Sequence, residues 1–304
     1  MSDPRAPAAV PAFGCAEFVS LVRPHILLIA ALAAAAFGFL FDGVANWHAA
    51  GWVAIDWLLL NFWNRLGDIA EDQLNGVPGA AFAAAHRRPL AVAAGVLFTL
   101  TLGLTLRDGV TFVLSRIGFQ AVGFAYNFKL LPGGRRLKDL LAIKNLSAGL
   151  LFVLSDLGYP LLLRQGQRSV TFAEVVFLVA FFWPLEMTYE LFYDLRDLAG
   201  DRAAGITTVP VRFGAPRARQ AIAALITLSA AALVFGWALG PLSFLELLLI
   251  AAPVQQALVL ALWFGRGVTP AGAVAVTYLG AAQLGSFLAW TGFGLPLQWP
   301  WVGP

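Results

Sequence analysis

Long apolar runs, separated by short polar clusters, fill most of the chain, and they lack the two-residue alternation of a membrane-barrel strand. A helix that crosses a bilayer needs about 20 predominantly apolar residues. On that measure the pattern predicts helices at 22–42, 50–74, 89–106, 109–130, 140–163, 171–198, 216–239, 241–264 and 270–293. The second and sixth differ from the others, because each begins apolar and ends in a carboxylate-bearing stretch. Leu239-Gly240-Pro241 predicts a tight hairpin between the seventh and eighth. The expected fold is an all-α polytopic membrane protein, with these helices in one bundle around a central cavity that opens near the cytoplasmic side. No low-complexity linker divides the chain, so residues 1–304 are expected to form a single domain, with 1–20 as a polar, Pro-rich cytoplasmic segment. The polar ends of the second and sixth helices suggest two related halves, but the sequences around them are too dissimilar to establish a repeat.

Composition strengthens the membrane reading. Of 304 residues, 60% are hydrophobic and 12% charged, and mean hydropathy is +0.77. A soluble domain carries about 25% charged residues. In a bilayer only helices or closed barrels satisfy the backbone, and the pattern selects helices. The single cysteine, Cys15, excludes an intrachain disulfide. The opening MSDPRAPAAVPAFG has no basic start leading into an apolar run. No cleavable leader is therefore expected, and the run His25–Phe41 should be a permanent span.

The net charge is only +3, so its distribution matters more than its sum. With the N-terminus inside, the cytoplasmic side collects Arg5, Arg23, Arg65, Arg87, Arg88, Lys129, Arg135, Arg136, Lys138 and Lys144. It also collects Arg196, Arg202, Arg212, Arg217, Arg219 and Arg266. Arg107, Arg116, Arg164 and Arg168 remain at or near the other face. This asymmetry predicts a multi-pass integral membrane protein (the inner membrane if the cell is bacterial), with both acidic helix ends toward the cytoplasm. Membrane lipid, and not nucleic acid, is the expected partner of such a surface.

In NFWNRLGDIAEDQLNG, Asn64, Asp68 and Asp72 recur every four residues and share one helical face. Taken alone, a solvated helix end explains this stripe equally well. The segment YELFYDLRDLAGDRAAGITTVPVRFG repeats the device, with Glu190, Asp194, Asp197 and Asp201 on one face at the same side. Two opposed carboxylate faces suit hard divalent cations such as Mg²⁺, which takes oxygen ligands, keeps waters and shares its coordination with phosphates. The stretch YNFKLLPGGRRLKDLLAIKN places Lys129, Arg135, Arg136, Lys138 and Lys144 at the same level, and Arg87 and Arg88 follow the first stripe. Metal ions with Arg and Lys match the needs of a departing diphosphate, although positive-inside topology accounts for any one of these cations by itself. His25, His48 and His86 each fall near an expected helix end, where packing or interfacial roles are commoner than catalysis.

These motifs resemble those of the UbiA superfamily of intramembrane prenyltransferases. NRLGDIAED resembles its first aspartate-rich motif, NxxxDxxxD, while DLRDLAGD with RAAGITTVPVRFG resembles its second motif and the tail that follows. RPHIL at Arg23–Leu27 and RRPL at Arg87–Leu90 resemble the usual starts of its first and third helices. The chain departs from the family in having Arg65 where many members have Asp.

The resemblance implies a prenyl diphosphate donor, Mg²⁺ and an apolar or aromatic acceptor. One metal would be held by Asn64, Asp68 and Asp72, another by Asp194, Asp197 and Asp201. Asp68, Asp72, Asp194, Asp197, Lys129 and Arg136 are the candidate catalytic groups. Arg65, Arg88, Arg135, Lys138, Lys144 and Glu190 are candidates for substrate contact, with Tyr126, Tyr189 and Tyr193 as the aromatic residues beside the charged motifs. Ionisation would give an allylic cation that must be shielded from water. An intramembrane terpene cyclase needs the same ionisation and remains open. A cation transporter is a remote alternative, because transport sites lie near mid-membrane and these stripes do not.

Overall fold

The structure, a computed structural model, describes residues 14–74, 77–164, 166, 168–263 and 267–294. The Pro-rich stretch 1–13, with Arg5, and Arg266 lie outside the described residues. In order, the helices are α1 (Cys15–Val22), α2 (Pro24–Asp42), α3 (Trp47–Gly67), α4 (Ile69–Leu74), α5 (Ala80–Ala85), α6 (Arg87–Leu104) and α7 (Val110–Asn127). A loop leads to α8 (Leu141–Phe152), which continues through a π-helical segment (Val153–Gly158) into α9 (Tyr159–Leu162). Then come α10 (Phe172–Arg196), α11 (Leu198–Ala204), α12 (Val209–Phe213), α13 (Ala215–Ala238), α14 (Phe244–Leu247), α15 (Ala251–Leu262) and α16 (Pro270–Gly292).

Among the described residues, seven helical stretches are long and apolar enough to cross a membrane. They are Pro24–Asp42, Arg87–Asp108, Ile143–Leu162, Phe172–Arg196, Ala215–Ala238, Phe244–Leu262 and Pro270–Gly292. Two of the expected spans are absent from that set: α3 with 21 residues and α7 with 18. Both are long enough, and each carries a charged residue in its middle, Asp56 and Arg116 respectively.

Those two charges are one buried unit. Arg116 donates from Nε and one terminal nitrogen to the two Asp56 carboxylate oxygens, at 2.8 and 2.6 Å. Its other terminal nitrogen donates to the Thr101 carbonyl at 3.0 Å. Tyr159 and Gln120 donate to Asp56 at 2.7 and 3.1 Å, and the guanidinium lies 4.5 Å from the centre of the Trp52 ring. Asp56 and Arg116 are each 0% exposed. Charge counting treated Arg116 as a topology signal; it is buried inside the bundle, where a bidentate carboxylate and a carbonyl replace its water.

At the centre of the fold is α2, packed on α3, α16 and the π segment. Its run Ala33-Ala34-Ala35-Ala36 is fully buried, and small side chains let neighbouring helix backbones approach closely. Large apolar side chains face outward elsewhere, including Val92 and Leu100 on α6, Leu114 on α7 and Phe235 on α13, as lipid contact requires.

Removing one member of the Asp56–Arg116 pair strands a buried charge. Asp56→Ala or Arg116→Met is expected to cost about 3 kcal/mol in a detergent unfolding assay. Asp56→Leu combined with Arg116→Met should recover most of that loss. Additive losses would show that the pair is not a unit.

Candidate active site

Each acidic stripe sits on a helix that breaks and restarts. The sequence pattern predicts continuous helices over 50–74 and 171–198. Instead α3 stops at Gly67 and α10 at Arg196, with Asp68 (φ −108°, ψ 10°) and Asp197 (φ −89°, ψ 2°) as the break residues. The hydrogen bonds continue across both breaks. Asp68 N donates to Asn64 O at 3.0 Å and Asp72 N to Asp68 O at 2.8 Å. Asp197 N donates to Tyr193 O and Asp201 N to Asp197 O at the same two distances, 3.0 and 2.8 Å. The acids therefore keep their four-residue spacing, and two halves of unlike sequence build one local structure.

In the first half, Asp68 accepts from Lys138 and, at 3.1 Å, from Arg136, while its second oxygen accepts from Asn64 Nδ2 at 2.9 Å. Asn64 also donates to Asn127 Oδ1 at 2.9 Å, tying the stripe to α7. Gly67 makes this approach possible, since a Cβ there would lie 2.5 Å from the Asn127 carbonyl oxygen. Asp72 pairs with Arg65 at 2.6 Å, and Arg65 Nε donates to the Ser20 carbonyl of α1 at 3.0 Å. Arg65, the departure from the family pattern, is thus a partner of the stripe and a link to the N-terminal helix.

The basic loop reaches this stripe through a tight turn. Gly133 (φ 79°) and Gly134 (φ 67°) supply the left-handed conformations that return the chain, with Leu131 and Arg135 bridged across the turn. Arg136 then points inward and binds Glu71 at 2.7 Å and Asp139 at 2.8 Å. Burial alone would lower its pKa, but hydrogen bonds to Asp139 and Glu71 outweigh this and raise it. Burial dominates at Lys138 and pulls its pKa down despite Asp68.

In the second half, Lys144 binds Asp194 at 2.5 Å, and Asn145 Nδ2 donates to the other Asp194 oxygen at 3.2 Å. Arg196 pairs with its neighbour Asp197 at 2.5 Å and lies 4.6 Å from the Tyr193 ring centre. Asp201 is buried, and desolvation pushes its pKa up to about 6. The two stripes have a common neighbour. Tyr126, on α7, lies within electrostatic reach of Glu190 and Asp194 on one side and Asp68 on the other. Lys138 Nζ is 5.9 Å from its ring centre.

The other expected residues are placed differently. Lys129, Arg135 and Arg88 are exposed and hold no acid partner among the described residues. Tyr189 is buried, its hydroxyl against Gly280 of α16, and Tyr193 bonds Thr277 of the same helix at 2.9 Å.

The residue readings missed Asn127 and Asn145, whose signal was an amide beside an already chosen Tyr or Lys. They also left Arg23 out of the site, although RPHIL marked its position. Arg23 is the one non-glycine residue with positive φ among those described (51°), and it joins α1 to α2. Such a conformation costs about 1–2 kcal/mol. Its side chain is partly buried and makes no hydrogen bond or ion pair among the described residues. Burial first, and Arg65 next, lower its pKa to about 10. An anion would relieve both effects.

No three acidic, His or Cys side chains among the described residues form a ready metal cage. Mg²⁺ does not need one, since it is commonly held by one or two carboxylates with water and phosphate oxygens. The donors here are all oxygens of the hard type. Asp201 Oδ2 and Asn145 Oδ1 are buried without a hydrogen-bond partner, so the second stripe fits such a cation chemically.

The all-helical, membrane-crossing fold and the paired acidic breaks define the class of the protein. Residues 24–275 match the UbiA prenyltransferase family, and the chain belongs to that family. Solved structures with this fold include a UbiA homolog from Archaeoglobus fulgidus bound to GPP and Mg²⁺ (TM-score 0.71, 18% identity, covering 90% of this chain and 99% of that one). A UbiA homolog from the same organism bound to DMAPP and Mg²⁺ gives a TM-score of 0.70 at 19% identity, covering 90% of this chain and 98% of that one. A digeranylgeranylglyceryl phosphate synthase gives 0.59 at 16% identity, covering 90% of this chain and 95% of that one. No curated protein matches the chain by sequence.

The approach at Gly67 can be tested directly. Gly67→Ala drives a Cβ into backbone and is expected to cost about 1–3 kcal/mol in thermal unfolding. Gly123→Ala meets only the end of the Leu60 side chain and should cost less. The reverse order would refute the tight α3–α7 contact.

Proposed function

We propose that this protein is a Mg²⁺-dependent intramembrane prenyltransferase that ionises a prenyl diphosphate and passes the prenyl group to an apolar or aromatic acceptor. One observation carries the reading: two acidic helix breaks of the same local structure each have Lys or Arg on their carboxylates. Family membership supports it, as do relatives of the same fold bound to prenyl diphosphates and Mg²⁺.

Asn64, Asp68 and Asp72, and Asp194, Asp197 and Asp201, would hold Mg²⁺, which would supply positive charge to offset the developing diphosphate charge. The chain's own residues do the rest. Arg136, Lys138, Lys144 and Arg65 exchange carboxylate partners for diphosphate oxygens, so each keeps a counter-charge. Arg23, which has no acid to leave, donates to the diphosphate directly. Arg88, Lys129 and Arg135 stay at the entrance and raise the local concentration of the anionic donor. The apolar interior keeps water from the allylic cation, and Tyr126, Tyr189 and Tyr193 present ring faces and edges near its path. Glu190 adds negative charge on the same side.

The pairing of Asp56 with Arg116 lets α3 and α7 cross the bilayer as well, giving nine spans in one domain. The cavity opens at the end carrying α4 and α11, on the cytoplasmic side where the basic residues collect. A cyclase shares every element of this site up to capture of the cation. A transport path gives no reason for so many Arg and Lys beside the acids.

The test is incubation of purified protein with Mg²⁺ and prenyl diphosphates of several lengths, with and without acceptors, followed by mass analysis of lipid-soluble products. Acceptor-dependent prenylated product is expected, whereas a cyclised product formed without acceptor would replace transfer by cyclisation. Asp68→Ala and Asp197→Ala should abolish turnover while the protein stays inserted and folded. Near-normal activity in either variant would overturn the two-stripe site.

A further inference from the structure

The two acidic breaks match residue by residue along their backbone hydrogen bonds. Asp68 N donates to Asn64 O, as Asp197 N does to Tyr193 O. Beyond the breaks, Val77 N donates to Asp72 O at 2.9 Å and Ile206 N to Asp201 O at 2.8 Å. Asp68 therefore matches Asp197, and Asp72 matches Asp201, but Asn64 matches Tyr193. The second stripe has no carboxamide where the first has one. Tyr193 does not replace it, because its hydroxyl is bonded to Thr277 Oγ1 of α16 at 2.9 Å.

A carboxamide nevertheless reaches the second stripe from another helix. Asn145, near the start of α8, donates from Nδ2 to Asp194 Oδ2 at 3.2 Å, while Lys144 binds Asp194 Oδ1 at 2.5 Å. Asp68 has the same two kinds of partner, with Asn64 Nδ2 on Oδ2 at 2.9 Å and Lys138 on Oδ1. Each half thus holds one aspartate between an amide N–H and a lysine. In the first half the amide lies four residues away on the same helix, whereas in the second it comes from 49 residues away in sequence.

The other atom of the Asn145 amide sets it apart. Asn145 is 4% exposed, and its Oδ1 is buried without a hydrogen-bond partner. A carboxylate only accepts, so the amide turns its NH₂ to Asp194. Both amide atoms share one carbon, which keeps the orphan oxygen beside that carboxylate. Asp201 Oδ2 is a second buried oxygen without a partner, on a residue within electrostatic reach of Asp194 and Lys144. Buried acceptors left unmatched cost free energy. Diphosphate oxygens cannot match them, since they also accept, and a hydrocarbon tail offers nothing. A hard divalent cation can. We propose that Asn145 Oδ1 is a ligand of the Mg²⁺ held at the second stripe, completing with Asp194 and Asp201 an oxygen set drawn from α8, α10 and α11. Asn145 is the counterpart of Asn64, supplied by a different helix because Tyr193 occupies the equivalent position. The inference rests on the prenyl-transfer reading and adds a ligand to its second metal site.

The experiment is calorimetric titration of metal into the purified full-length protein with saturating non-hydrolysable geranyl thiodiphosphate, corrected by protein-free controls. Asn145→Leu is expected to weaken Mg²⁺ binding at least about tenfold. Asn145→Asp should bind Mg²⁺ at least as tightly as the wild type, because it keeps the oxygen and adds charge. A residue that only donates its N–H to Asp194 behaves differently. Asn145→Asp would then lose as much affinity as Asn145→Leu, having lost the donor and gained a repulsion, and that result would overturn the proposal. Direct contact is read from Asn145→Cys in a Cys15→Ser background. A thiolate is a soft ligand, so this variant should shift its preference from Mg²⁺ toward Cd²⁺ by at least about tenfold relative to Cys15→Ser alone. It should also show thiolate-to-Cd²⁺ charge-transfer absorption. Unchanged Mg²⁺ affinity in Asn145→Leu, or no such absorption in Asn145→Cys, would equally overturn the assignment. Wild-type protein that takes up no Mg²⁺ with the thiodiphosphate would instead sink the prenyl-transfer reading itself.

Discussion

The structure depends on charge compensation at the edge of an apolar medium. Carboxylates at a bilayer boundary repel one another and lose hydration, so they persist only where positive charge meets them. Here the compensation comes from within the chain: Lys138 and Arg136 on Asp68, Arg65 on Asp72, Lys144 on Asp194, and Arg196 on Asp197. The groups suited to hold a metal and the groups suited to hold a diphosphate are already paired with each other. A cation arriving alone would strand the Lys and Arg side chains, and an anion arriving alone would strand the carboxylates. Arriving together, they leave every charge matched.

The fold serves that arrangement. Two helices break at Asp68 and Asp197 with nearly the same backbone geometry, and the hydrogen bonds that continue across each break keep the stripe residues on one face. The α3–α7 contact at Gly67 brings Asn127 to the first stripe, and the glycine turn at 133–134 folds Arg136 and Lys138 back onto it. Within the bundle, Asp56 and Arg116 solve the same electrostatic problem permanently. That pair is fully enclosed and bidentate, whereas those at the stripes are partly accessible and spread over several partners. The difference separates a structural clamp from one built to exchange ligands.

Much of this was legible in the sequence. The apolar runs located the long helices within a few residues, since length and hydropathy are local properties. The four-residue spacing of Asn64, Asp68 and Asp72 put them on one face, and it survived the break because the i−4 hydrogen bonds did. The breaks themselves were not legible, because an Asp at a helix end has no marker that separates a stop from a restart. The burial of Arg116 was not legible, because charge counting cannot see a partner 60 residues away. Arg23 escaped for a related reason: what distinguishes it is the partner it lacks, and only the assembled bundle reveals it.

Mutual dependence of metal and anion binding is the most direct consequence of the charge-exchange account. Mg²⁺ affinity would be measured on the full-length protein alone and then with saturating non-hydrolysable geranyl thiodiphosphate, with protein-free controls correcting for association in solution. The account predicts Mg²⁺ affinity at least about tenfold higher with the thiodiphosphate present, a coupling within the usual range for linked sites. Equal affinity in the two conditions would contradict it, because the carboxylates would then be free to take metal without releasing their Lys and Arg partners.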